Sequence, residues 1–117
     1  MSELNTVVNA TLLADDNQAS VSAMLNAILE KPLTPMEANQ AKTYMEQVAS
    51  QAANEEGAEV QLFQLMEMKN QNTTYVMRVA LFSNNKAIGL DVMDAENGQF
   101  FVPESCPVVE LQATTLN

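Results

Sequence analysis

At Gly57 the spacing of apolar residues changes from three and four to two, which divides the chain into a helical first half and a stranded second half. Upstream, Thr34-Pro35-Met36-Glu37 has the form of a capping box with proline at the first helical position. Met36, Ala41, Tyr44, Met45, Val48, Ala49 and Ala52 then recur at helical spacing, and Gly57 can end the segment in a left-handed conformation. The pattern predicts a helix over about 35–56. Asp15 with Gln18 three residues on, followed by Val21, Met24, Leu25, Ile28 and Leu29, predicts another over about 16–30, which must stop before Pro32. So short a connection as Lys31-Pro32-Leu33 makes the helices antiparallel neighbours, with apolar stripes that together cover one face of a sheet. Residues 4–13 fit a helical stripe through Leu4, Val7, Val8 and Leu12 and also an extended strand through Thr6, Val7, Val8 and Thr11; the reading leans to helix.

Downstream, residues 59–69 alternate, with Val60, Leu62, Met66 and Met68 on one side and Phe63 and Leu65 on the other. Asn70-Gln71-Asn72 turns the chain into 73–82, where Tyr75, Met77, Val79 and Leu81 face one way and Val76, Ala80 and Phe82 the other, interrupted by Arg78. Ser83-Asn84-Asn85-Lys86 reads as a tight hairpin, because asparagine tolerates positive φ. Strands follow at 86–93 and 99–102 around the turn Asp94–Gly98, and Val108–Leu111 can supply a fifth; the polar end from Gln112 is expected to fray. The predicted fold is α+β, with N-terminal helices on one face of a C-terminal four- to five-stranded antiparallel meander (about 59–111), all in one domain spanning 1–117.

Charge and composition exclude several function classes. Fifteen acidic residues against five basic ones, a net charge of −10, argue against direct binding to nucleic-acid phosphates or an anionic membrane. With no histidine and a single cysteine, the chain lacks the usual zinc ligand sets, a disulfide framework and histidine-based catalysis. Cys106 stands in Glu104-Ser105-Cys106-Pro107 without a basic neighbour to activate it and reads as a small hydrophobe. The turn Asp91–Gly98 is rich in acids, but counting back from Gly98 places Met93 where a calcium loop needs its first ligand. Met24, Met36 and Met45 on helical stripes, and Met66, Met68, Met77 and Met93 on strands, read as core filling. No catalytic residue, cofactor or metal is expected. The opening residues Met1–Thr6 carry no positively charged leader pattern, and no apolar run reaches membrane-spanning length, so a cytoplasmic protein is expected.

Two sets of residues remain as candidate partner-binding sites. If helices cover one side of strand 73–82, then Val76, Ala80 and Phe82, with Phe63 and Leu65 beside them, form an apolar sheet face that something else must cover. Residues 4–13, a second copy of the chain in a homodimer, or another protein are the three coverings. The second set is acidic: Glu55, Glu56 and Glu59, with Asp91, Asp94 and Glu96. Glu55 and Glu56 lie at the end of their helix where the macrodipole is already negative. These features set the expectation of a non-enzymatic interaction module, such as an inhibitor or adaptor whose acidic surface engages a basic, nucleic-acid-handling protein. The alternative is a dimeric chaperone or structural accessory protein that holds its partner through the apolar sheet face.

Overall fold

The computed structural model describes residues 17–111; the reading of 4–13, the acids Asp15 and Asp16, and the polar end from Gln112 lie outside them. The described elements are α1 (Gln18–Glu30), β1 (Leu33–Met36), α2 (Ala38–Glu55), β2 (Val60–Asn70), β3 (Thr73–Phe82), β4 (Lys86–Asp94), β5 (Phe100–Pro103) and β6 (Val108–Glu110). All strand pairings are antiparallel, in the order β1-β5-β4-β3-β2, with β6 paired to the first part of β4. The α+β class, the helices ahead of the meander and the approximate bounds of β2 to β6 agree with the sequence reading; β1 is a sixth strand that the reading did not assign.

The capping box does not form. Thr34 and Pro35 lie in β1, opposite Val102 and Phe101 of β5, and α2 begins at Ala38 after an extended Glu37 that makes no side-chain cap. Proline is tolerated here because β1 is an edge strand, where a missing N–H costs no ladder bond. The other end of α2 follows expectation. Gly57 takes a φ of 67°, and the N–H groups of Ala58 and Gly57 donate to the carbonyls of Ala53 and Asn54 at 2.8 and 3.1 Å, the Schellman arrangement.

The helices do not share one face of the sheet. Val21, Met24, Leu25 and Ile28 of α1 pack with Met66, Met77, Val79, Leu81, Ala87 and Val92, whereas Met45, Ala49 and Ala53 of α2 pack with Ala80, Phe82, Ile88 and Leu90. Met77, Val79 and Leu81 alternate with Ala80 and Phe82 along β3, so the two clusters lie on opposite sides of it. The expected antiparallel helix pair is thus a three-layer arrangement, helix over sheet over helix. Between the helices the chain rounds the sheet edge, and β1 is the strand it lays down there.

Two irregularities adjust the register. Gln61 is an extra residue between Val60 and Leu62, which pair with Phe82 and Leu81; it turns Val60 to the α2 side, rather than to the side of Leu62 as strict alternation implies. On β4, Leu90 is the extra residue between Gly89 and Asp91, which pair with Val79 and Arg78.

Gly89 explains how α1 approaches the sheet so closely. A Cβ there would stand 3.0 Å from Ile28 Cδ1 and 3.6 Å from both Met24 Sδ and Pro107 Cγ. Ile28 and Met24 are fully buried and cannot swing into solvent. Gly89→Val is therefore expected to destabilise the fold by about 1–3 kcal/mol through overpacking. Urea unfolding measures this, and a variant as stable as the parent would show that α1 can ride outward at no cost.

Candidate protein interface

β3 and the first half of β4 are apolar on both sides, and their α2 side is closed by the small residues Ala49 and Ala53, at most 3% exposed, with Met45 beside them. Short side chains let the helix axis lie near the sheet. This is where Ala80 and Phe82 go. Both are buried under α2, at 0% and 1% exposure, so they belong to the core and not to an open partner face.

Farther along the same side, Arg78 replaces the helix as a cover. Its guanidinium donates to Asp91 through Nε to Oδ1 at 2.8 Å and through Nη2 to Oδ2, a bidentate pair between directly opposed residues of β3 and β4. The same guanidinium lies over the Phe100 ring, 4.5 Å from its centroid. Asp91 is wholly buried and committed to Arg78, which removes it from the acidic surface.

Beyond that pair no described helix covers the sheet. Phe63 and Leu65, opposite Ala80 and Arg78, are 44% and 66% exposed, and Val76 on β3 is half-buried. They do form an uncovered patch, smaller than expected and pushed to the margin of the sheet. Leu62, assigned from alternation to the covered side, is 48% exposed as well. It lies on the α1 side beyond that helix, and strand periodicity carries no information on how far a covering helix extends. All three side chains belong to β2, an edge strand of eleven residues. Beside its start, a shallow groove of about 670 Å³ runs between α2 and β2, lined by Ser50, Gln51, Ala53, Asn54, Ala58, Glu59 and Val60.

The acids do not gather. Glu55, Glu56 and Glu59 are exposed near the β3–β4 turn, where Glu56 accepts from Lys86 Nζ at 2.8 Å and Ser83 Oγ accepts from the Glu59 N–H at 3.0 Å. The Lys86 ammonium holds the Glu56 carboxyl below its ordinary range, and Glu56 in turn raises Lys86. Asp94 and Glu96 lie at the opposite end of β4, roughly 26 Å away at the usual strand rise. Asp94 accepts from the Glu96 N–H at 2.9 Å and Asn97 from the Gln99 N–H at 2.9 Å, so the turn closes on its own side chains. Among the described residues, no three acids or cysteines are grouped so as to hold a metal ion, and no helix is long and apolar enough to cross a membrane.

Cys106 lines a hollow of about 210 Å³ beside α2 and donates to the Leu90 carbonyl at 3.5 Å. Burial, with the negative charge of Asp91 adding to it, pushes its thiol up to about 11. Compared with protein-family models, with curated proteins and with solved structures, the chain has no match in any of the three.

The geometry of these groups makes two measurements decisive. Asp91→Ala leaves the Arg78 guanidinium with little solvent and no counter-charge, and is expected to cost about 3–5 kcal/mol in urea unfolding. The double variant Arg78→Met/Asp91→Ala should recover part of that loss; a double variant worse than the sum would show instead that packing against Phe100 dominates. For Cys106, alkylation by iodoacetamide at pH 8 is expected to run about a hundredfold slower in the folded chain than in the urea-unfolded one, since the thiolate fraction falls tenfold per pH unit below the pKa. Equal rates would mean an exposed thiol.

Proposed function

We propose that the chain is a non-enzymatic protein-interaction module whose binding surface is the β2 edge with its apolar side chains. One observation carries this reading: three large apolar residues, Leu62, Phe63 and Leu65, stand 44–66% exposed within four consecutive positions of one edge strand. An edge strand offers a row of unpaired N–H and C=O groups, and natural sequences usually protect it with charge, proline or a cover. From Val60 to Asn70 the only charged residues are Glu67 and Lys69, and proline is absent. Main-chain pairing to this edge would supply affinity and the apolar side chains specificity, the mode known as strand addition.

The acidic reading has less support. Asp91 is spent on Arg78 and Glu56 on Lys86, and the other acids of the candidate set, Glu55 and Glu59 against Asp94 and Glu96, are divided between the two ends of β4. A partner recognised through charge needs a continuous field, and such binding weakens steeply with salt. The apolar reading therefore predicts that full-length protein used as immobilised bait keeps its specific partner at 0.5 M salt, on the order of three times physiological ionic strength, and that Leu65→Lys bait loses it. Equal retention by the two baits would move the contact away from β2, and loss of binding to the parent bait at high salt would favour the acids.

A further inference from the structure

We propose that the protein β2 engages is a second copy of the same chain, paired antiparallel about a two-fold axis at Gln64. The inference rests on the reading of β2 as a binding edge and names its occupant. A two-fold axis normal to the sheet keeps each face of one copy continuous with the same face of the other, and it must then pass through a residue position of β2. Each possible centre makes a different set of cross-strand pairs, and those sets can be compared directly.

With Gln64 at the centre, Phe63 stands opposite Leu65 of the second copy, and Leu65 opposite its Phe63, on the α2 side. On the α1 side, Leu62 stands opposite Met66 of the second copy, and the reverse. All three exposed apolar residues of the strand acquire apolar partners. Centring on Leu65 instead sets Phe63 against Glu67, centring on Met66 sets Leu65 against Glu67 and Phe63 against Lys69, and centring on Phe63 sets Leu62 and Leu65 against glutamines. Cross-strand pairs are the unit of sheet stabilisation, and apolar residues opposite charged or amide ones forgo it.

Charge agrees with the same centre. Glu67 falls opposite Gln61, and Lys69 falls within one residue of Glu59, allowing for the extra residue at Gln61. No like charges oppose. This matters in a chain of net charge −10, where copies repel except along a segment that is itself neutral; from Val60 to Asn70 the one acid and the one base cancel.

Sedimentation of the full-length chain at micromolar concentration, together with cysteine cross-linking, tests the proposal. The parent should sediment as a dimer with a urea midpoint that rises with protein concentration, and Leu65→Glu as a monomer that still unfolds in one cooperative transition at a concentration-independent midpoint, because Leu65 contributes little to the core. In a Cys106→Ser background, Gln64→Cys should form an intermolecular disulfide under mild oxidation. The two α-carbons on the axis are then about 4.5–5.5 Å apart, within disulfide reach. Glu67→Cys should not, since its two copies are offset by about six positions, roughly 20 Å.

A parent that is monomeric throughout overturns the second copy as occupant. If Leu65→Lys bait still loses a heterologous partner, the binding-edge reading survives that result; if it does not, both fall. A dimer that persists in Leu65→Glu, or that links through position 67 rather than 64, overturns the pairing.

Discussion

Burial of β3 and β4 on both faces is the constraint on which the rest of the structure depends. Met77, Val79 and Leu81 point one way from β3 and Ala80 and Phe82 the other, and all five are nearly inaccessible to solvent. A strand of that kind must lie inside a sheet and between two covers. The molecule has two described helices and uses one on each face, so the chain must pass around the sheet edge between them. β1 is the consequence: the crossing segment pairs with β5 and becomes the edge strand on that side, and β2 is the edge on the other side among the described strands.

Cover is limited by helix length and by how near each helix can come. Small side chains permit the approach in both layers, Gly89 beneath α1 and the alanines of α2 above the other face. Where α2 gives out, the Arg78–Asp91 pair stacked on Phe100 closes the sheet with polar groups that satisfy one another. Polar closure of this kind is costly to break and gives little surplus stability when intact. Its benefit is positional, since it joins the centres of β3 and β4 at a fixed register and leaves the apolar margin at β2 distinct from the core. The interface proposed above occupies that margin because neither helix nor ion pair reaches it.

Sequence patterns report short-range preferences, and they were legible wherever short-range forces decide. Period-two alternation in 73–82, the strand at 86–93 and the asparagine turn between them read correctly, and so did the stop at Gly57, because each depends on local backbone energetics. The extra residue at Leu90, which sends Val92 to the side opposite Ile88 and Leu90, did not. The capping box failed for the opposite reason. Thr34 and Pro35 have strong local helix-start chemistry, yet pairing with β5, more than sixty residues away, holds them extended. Arg78 and Asp91 could have been matched as the only charged residues inside their strands, a signal that two-sided apolar character elsewhere tends to hide.

By itself the sequence determined that an α+β domain forms, that strand 73–82 is apolar on both sides, and that residues 59–69 carry apolar side chains on both of their faces. Only the tertiary structure decided which residues those covers consume. It buried Ala80, Phe82 and Asp91 and left Leu62, Phe63 and Leu65 exposed. The physical reason is that periodicity assigns a residue to a face, whereas exposure depends on where a helix distant in sequence lies across that face and where it ends. Those are long-range contacts, and no local pattern encodes them.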